Sequence, residues 1–199
     1  MELSEALRRR RMVRAFLPDP VAPTVLDRVL DAATRGPSAG FTQALDLLVL
    51  ADPSHVERYW GITFPDEGAR AGFRWQGLFL APVLVIPVVD PSAYVARYGE
   101  PDKEASGLGE EAAWPVPYWW VDGGAAVENL LLAAVDEGLG ALFFGLFSHE
   151  RAVLDAFGVP TGRRALGTVA LGHPAPDEPG RSSTRPRRPP AEVVHRDQW

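Results

Sequence analysis

The sequence predicts an α+β protein in which helices flank one mixed sheet. Short, continuous apolar runs typical of buried strands interleave with segments that repeat apolar residues at helical spacing, without forming strict strand–helix–strand units. The composition agrees, because 199 residues with 46% hydrophobic and 23% charged side chains suit one globular domain with a sizeable core. We therefore expect a single domain over residues 1–199.

The first half of the chain predicts two helices and one strand. TVLDRVLDAATRG repeats apolar residues at helical spacing until a glycine ends the pattern, and PSAGFTQ follows as a loop. ALDLLVLAD is typical of a buried strand and PSHVERYWGIT of a helix, and FRWQGLFL is compatible with further helix. These segments span residues 24–36, 37–43, 44–52, 53–63 and 73–80.

The second half predicts three more strands around a long helix. PVLVIPVVD, ALFFGLF and RRALGTVALGH suit buried strands, although Pro87 indicates an edge or a bulge in the first of them. GGAAVENLLLAAVDEGLG has a broad apolar face, so we expect a long central apolar helix there, and SHERAVLDAFGVP predicts a shorter one. EVVHRDQW, at the C-terminus, is compatible with a final strand.

Two segments lack a regular period. Residues 98–120 are rich in Gly, Pro, acidic and aromatic side chains, and a loop of this length is typical of a lid or a binding loop. We expect a lid-like excursion there. Residues 174–199 begin with many prolines, so we expect a C-terminal extension rather than a second domain.

Composition and motifs exclude several function classes. The chain has no cysteine, and its four histidines show no pair at ligand spacing, so we expect neither disulfides nor a metal site. No G-x-S-x-G, G-x-G-x-x-G or Walker loop occurs. No run of about 18 apolar residues is present, so we expect a cytoplasmic protein with no membrane partner.

Charge is concentrated at the two ends. Residues 15–180 hold 10 basic against 22 acidic side chains, a net charge of −12. So acidic a middle would repel a nucleic-acid backbone, which makes one local anion site assembled by folding a better interpretation than a nucleic-acid arm. The other ten basic residues are arginines near the termini: Arg8, Arg9, Arg10, Arg11, Arg14, Arg181, Arg185, Arg187, Arg188 and Arg196.

Four sequence segments, in this order and at this spacing, resemble one protein family. They are the arginines followed by VRAF, the loop PSAGFTQ, the helix end and strand EGLGALFFG, and the tail RPRRPPAEVVHRDQW. From about Leu7 to Trp199 the chain resembles the nitroreductase family of FMN-dependent oxidoreductases. The resemblance implies a nitroreductase-like fold, an intertwined homodimer with FMN at its interface, and NADH or NADPH as electron donor. It also implies reduction of nitroaromatic, quinone or related electron-poor compounds by a ping-pong hydride mechanism, in which FMN carries the chemistry and no side chain is catalytic.

The resemblance implies roles for particular residues. The early arginines and the basic pair near the C-terminus would grip the flavin phosphate, since Arg gives forked, permanently charged bonds to phosphate oxygens. The PSAGFTQ loop would lie against the isoalloxazine, and the strand end at FG would bring a backbone amide towards its N5. The residues expected to bind FMN are Arg10, Arg11, Met12, Arg14, Pro37, Ser38, Ala39, Gln43, Phe144, Gly145, Arg185 and Arg187. Those expected to face the substrate are Phe41, Trp114, Tyr118 and Trp119.

The chain departs from the family pattern at two of these positions. Met12 stands where the family usually has Ser or Thr, and Phe41 stands where many members have Asn. Both changes remove a polar contact, so a non-redox protein that binds a flavin or another phosphorylated ligand is an alternative. The GF-x-Q form also resembles the branch with a flavin-fragmenting enzyme, although Met12 does not supply the carboxylate used there.

The aromatic group around residue 114 has two interpretations. It could form an apolar wall that selects planar substrates, or it could pack the excursion against its surroundings, since large aromatics dominate cores and interfaces. The packing interpretation is slightly favoured.

Overall fold

The computed structural model describes residues 1–178, 180 and 183–199 and contains one sheet with the order β1-β2-β5-β3, in which β4 also pairs with β2. Every ladder between these strands is antiparallel. The mixed character expected from the sequence is limited to one isolated parallel bridge, between Met12 and Ala141. The strands are β1 Leu45–Leu50, β2 Val83–Val89, β3 Gly140–Phe144, β4 Arg164–Ala165 and β5 Thr168–Gly172.

Helices account for most of the remaining chain and confirm the α+β class. The central apolar helix begins five residues earlier than the sequence predicts, at Tyr118. Short 3₁₀ turns connect several elements, including one at Ala39–Phe41. The helices are α1 Leu3–Arg9, α2 Pro23–Thr34, α3 Pro53–Thr63, α4 Glu67–Ala71, α5 Pro91–Tyr98, α6 Tyr118–Asp136, α7 Glu150–Ala156 and α8 Pro190–Val193.

The two faces of the sheet bury different clusters. Side chains alternate along β2, so that Leu84 and Ile86 join the cluster around Trp60 of α3, whereas Val85 joins the cluster around Leu130 of α6. Helices α2 and α6 therefore cover one face, and α3 and α7 the other. All seven residues of β2 are buried, which explains why its sequence is continuously apolar.

Pro87 lies inside the sheet, at a discontinuity. Residues 83–85 of β2 pair with β5, and residues 88–89 pair with β4. Between the two ladders, Leu166 donates its N–H to the Pro87 carbonyl at 3.0 Å. Pro87, which in the sequence indicates an edge or a bulge, therefore lies opposite the break between β4 and β5. These two strands are the two halves of the predicted strand RRALGTVALGH.

Two expectations about elements need correction, and one helix has no counterpart among the predictions. The final strand predicted for EVVHRDQW is wrong, because residues 190–193 form α8 and the described residues after it form no strand. Helix α5 is an additional element, which begins at Pro91 after the capping residue Asp90 and buries Pro91 and Tyr94. The stretch predicted as possible helix over residues 73–80 forms a 3₁₀ turn at Gln76–Leu80 instead. None of the helices in the described residues is long and apolar enough to cross a bilayer.

Candidate functional site

Arginines from both ends of the chain line one cavity. The cavity has a volume of about 530 Å³. Asp177 and Glu178 also line it. The predicted residues that it brings together are Arg10, Arg11, Met12, Arg14, Arg185 and Arg187. Arg181, also part of the C-terminal cluster, lies outside the described residues.

Backbone pairing places the two ends beside each other. After α1, the chain runs extended across β3, where Val13 donates its N–H to the Ala141 carbonyl at 2.9 Å. Val13 and Phe16 are buried and anchor this segment. The chain that leaves β5 then pairs with it, because Ala175 donates its N–H to the Ala15 carbonyl at 2.9 Å. The arginines after α1 and the C-terminal tail therefore share one surface.

Three guanidinium groups in this cavity have no partner among the described residues: those of Arg11, Arg185 and Arg187. Arg10, by contrast, forms an ion pair with Glu128, at 3.2 Å between Nε and Oε1. The Arg14 guanidinium lies 5.2 Å from the centre of the Trp75 ring. The cavity therefore presents positive charge that the described residues do not neutralise.

The two acids of the cavity are already engaged. Asp177 accepts a hydrogen bond from the Arg14 backbone N–H, at 2.7 Å to Oδ2. Glu178 pairs with Arg74, at 3.2 Å between Oε2 and the guanidinium. Arg74 therefore neutralises Glu178, whereas Asp177, whose partner is a neutral amide, keeps its charge. The three unpartnered arginines still outnumber this one carboxylate.

A second, smaller cavity of about 200 Å³ lies under the PSAGFTQ loop. Its walls come from the loop itself, from α5 and from α6. Predicted residues Pro37, Ser38, Phe41 and Gln43 line it. It shares no lining residue with the arginine-lined cavity. A single protomer therefore divides the arginines and the predicted loop residues between two cavities, and Phe144 and Gly145 line neither of them.

The carboxylate of Asp122, on α6, anchors this loop through hydrogen bonds. Its Oδ2 accepts hydrogen bonds from the Ala39 N–H at 2.7 Å and from the Tyr94 hydroxyl at 2.8 Å. Burial raises the pKa of Tyr94, and the adjacent Asp122 carboxylate raises this pKa further, so the phenol stays protonated and remains a donor. Asp122 is only 9% exposed.

Further hydrogen bonds fix the rest of the loop. The Gln43 N–H donates to Ser38 Oγ at 2.9 Å, and Arg97 Nε donates to the Gly40 carbonyl at 2.9 Å. The backbone takes positive φ angles at Gly40 (62°), Phe41 (55°) and Gln43 (54°). An L-residue in this region costs about 1–2 kcal/mol, so the surrounding contacts hold the loop in a strained conformation.

Phe144 and Gly145 lie at the end of β3. The Phe144 ring stacks on Trp60 with a centroid distance of 6.0 Å and an interplanar angle of 9°, which makes this side chain part of the core. A Cβ atom at Gly145 would lie 2.7 Å from the Phe147 ring. Phe147 itself is 88% exposed and has a φ of 46°. The strand end therefore offers a backbone position beside the exposed ring of Phe147, a residue whose backbone is strained.

The aromatic residues predicted to face the substrate differ in how deeply they are buried. Trp114 and Trp119 are 7% and 4% exposed and pack around Tyr94, whereas Tyr118 is half exposed. Trp114 also donates its indole N–H to the Leu108 carbonyl at 2.9 Å. The two tryptophans thus fit the packing interpretation, and Tyr118 is the member that offers a surface.

Sequence reasoning missed Asp122, Tyr94 and Arg97, which support the loop. A signal for Asp122 exists in the sequence. The positions 122, 126, 130 and 134 follow at intervals of four and form the buried stripe of α6. An acidic residue on such a stripe needs buried partners, which indicates a structural or functional contact.

Comparisons with known proteins agree with this architecture. The model of the "Nitroreductase family" matches residues 7–173. An NADH dehydrogenase of Thermus thermophilus is 28% identical over 186 residues, which cover 88% of each chain. The NADPH:FMN oxidoreductase of Vibrio harveyi, solved in complex with NAD⁺, has a TM-score of 0.70 at 20% identity, with coverage of 99% of this chain and 77% of its own. A protein of Desulfovibrio desulfuricans solved in complex with FMN has a TM-score of 0.68 at 24% identity, with coverage of 100% and 98%. The chain therefore belongs to the nitroreductase family.

Proposed function

We propose that this protein is an FMN-dependent oxidoreductase that uses NADH or NADPH to reduce electron-poor organic compounds such as nitroaromatics and quinones. The observation that carries the proposal is the cavity where both arginine clusters meet, with three guanidinium groups that no described residue neutralises. Its support is membership of the nitroreductase family together with relatives that are named as NAD(P)H-linked oxidoreductases.

The arginine-lined cavity fits the phosphate of FMN. A phosphate dianion offers three oxygens to forked guanidinium donors, and arginine keeps its charge at every physiological pH. Arg11, Arg185 and Arg187 are the proposed phosphate ligands, and Arg10 and Arg14 line the same space. The 530 Å³ volume leaves room beside the phosphate for the start of the ribityl chain.

A second copy of the chain would complete the site. The PSAGFTQ loop and the arginines line different cavities in one protomer, so a homodimer is the simplest way to bring both against one flavin. Exposed apolar side chains support this: Leu3 and Leu7 lie one turn apart on α1, and Val121 lies on α6. The described residues from 183 to 199 are all exposed, and the fully exposed ring of Trp199 stacks on that of His195. We expect this tail to bury its apolar residues against the partner.

When bound, FMN would accept a hydride from NAD(P)H and pass it to the acceptor. The residues of this chain bind, orient and exclude water. The arginines fix the phosphate end, and the hydrogen-bonded loop presents Ser38, Ala39 and Gln43 in one rigid conformation. Overall, reduction of a nitro group to a hydroxylamine uses two hydrides from two NAD(P)H and two protons, and releases one water. Donor and acceptor would occupy the same space in turn, which is the basis of the proposed ping-pong scheme.

The arginine-lined cavity alone would also suit a protein that binds a flavin or another phosphorylated ligand without turnover. Steady-state kinetics distinguish the two functions. We expect the FMN-loaded protein to oxidise NADH or NADPH with menadione or nitrofurazone as acceptor, and double-reciprocal plots at several acceptor concentrations to be parallel. FMN binding without donor oxidation would support the binding protein, and intersecting plots would contradict the ping-pong scheme.

A further inference from the structure

We propose that the cavity under the PSAGFTQ loop is an acceptor subsite for a small planar aromatic ring that carries an N–H donor, with Phe41 stacking on the ring and Asp122 accepting the hydrogen bond. The inference rests on the proposed function, in which this loop borders the space where acceptors react.

The first observation is an incompletely used carboxylate. Both hydrogen bonds that Asp122 accepts go to Oδ2, and Oδ1 accepts none from the described residues. The residue is more than nine-tenths buried and lines the cavity. Oδ1 is not one of the fully enclosed, unpartnered side-chain atoms of the described residues, so it is open to water or to a ligand in the cavity. A ligand N–H or O–H group would give it the donor that the described residues do not supply.

The second observation is a strained aromatic residue at the same cavity. Phe41 is 75% exposed although its φ of 55° is unfavourable for a bulky residue. The hydrogen bonds of the loop fix its backbone, but its ring gains almost no burial within the protomer. Strain held in place by surrounding structure is typical of binding sites, and an exposed ring face suits stacking on a flat ligand.

The cavity itself limits the ligand. Its volume of about 200 Å³ suits one ring, and Pro37, Ala44 and Ala126 give it apolar walls. The Asp122 carboxylate would attract an amide N–H and repel a carboxylate on the same ring. The subsite therefore selects neutral aromatic amides or amines over aromatic acids of the same size.

Binding of three matched ligands tests this selectivity without turnover. We would measure benzamide, methyl benzoate and benzoate by isothermal titration calorimetry on the FMN-loaded protein, in a phosphate-free buffer so that the FMN phosphate keeps the arginines occupied. We expect benzamide to bind at least tenfold more tightly than methyl benzoate, and benzoate to bind most weakly. Equal affinities for benzamide and benzoate in the wild-type protein would overturn the proposal.

Asp122→Asn gives a sharper version of the same test. The side-chain amide oxygen can still accept from Ala39 and Tyr94, which leaves its NH₂ group facing the cavity. We therefore expect this variant to reverse the order and to prefer benzoate over benzamide. An unchanged order in a variant with an unchanged melting temperature would contradict the role of Asp122.

The kcat/KM values of three matched nitro compounds give a second, independent test. We expect kcat/KM to fall in the order 4-nitrobenzamide, methyl 4-nitrobenzoate, 4-nitrobenzoate, and Phe41→Leu to lower all three values by about the same factor. Leu80→Ala, which changes an exposed apolar residue that lines neither cavity, is the matched control. If the FMN-loaded protein lacks turnover but retains the amide preference in calorimetry, the proposed function fails and the subsite stands. Turnover without amide preference would overturn the subsite alone.

Discussion

Replacing Arg185 or Arg187 with alanine should weaken the binding of FMN and leave the fold intact. Both side chains are exposed, line the arginine cavity and contact no described carboxylate, so their loss removes no internal interaction. A hydrogen bond to a charged group contributes about 1.5–3 kcal/mol, and solvent exposure places these two at the lower end. We therefore expect Kd to rise about tenfold for each single variant. The double variant should lose more than either single one, but its effect need not be the product of the two because both side chains contact the same phosphate.

Quenching of flavin fluorescence measures this effect, and riboflavin isolates its cause. Riboflavin has the same ring and ribityl chain as FMN but no phosphate, so its affinity should not change in the variants. Arg188→Ala is the matched control, because Arg188 lies in the same tail but pairs with Glu192 at 3.4 Å and does not line the cavity. Equal losses for FMN and riboflavin, or a loss in Arg188→Ala as large as in the other two variants, would refute the assignment of the phosphate site.

Two further changes test the loop and the fold. Gly40→Ala should lower the free energy of unfolding by about 2–3 kcal/mol, against about 1 kcal/mol for Gly107→Ala. Both glycines have positive φ, but only the added Cβ of Gly40 meets a neighbour, the Tyr98 ring at 2.8 Å. Urea denaturation measures both values, and equal losses would show that the Tyr98 contact does not matter. Burial would raise the pKa of Glu150, but hydrogen bonds from Arg164 and a backbone N–H outweigh it and lower this pKa. Because this pKa is lowered, the ionised Glu150 carboxylate stabilises the fold at pH values above its unfolded pKa of about 4.3, and this stabilisation is lost as pH falls through the folded pKa. Glu150→Gln should therefore lower the free energy of unfolding by about 1 kcal/mol at pH 7 and leave it unchanged at pH 2. A pH-independent loss would contradict this account.

Much of the fold follows from local pattern. The strands around Leu84 and Leu142 are short, continuous apolar runs because both of their faces are buried, and such runs are visible in the sequence. Helix α6 follows from its repeat of apolar residues. The antiparallel order does not follow from pattern, because buried antiparallel and parallel strands have the same composition. The strand predicted around Val193 does not form, because this exposed segment pairs with no strand among the described residues.

The arginine-lined cavity was more predictable from the sequence than the conformation of the PSAGFTQ loop. The arginines stand out because they contrast with an acidic middle, and the structure brings five of them to one cavity. The conformation of the PSAGFTQ loop could not be inferred, because positive φ at a residue such as Phe41 depends on contacts with Asp122 and Arg97, which are more than 50 residues away along the chain. Pattern reasoning finds concentrated charge more readily than a strained backbone held by distant residues.

The most direct test of the central claim is an absorbance spectrum of the purified protein, recorded anaerobically before and after NADH and then NADPH. The account predicts flavin bands, either as purified or after addition of FMN, that bleach with at least one of the two donors and return when menadione is added. A protein that stays colourless after incubation with FMN and gel filtration would contradict the proposed function.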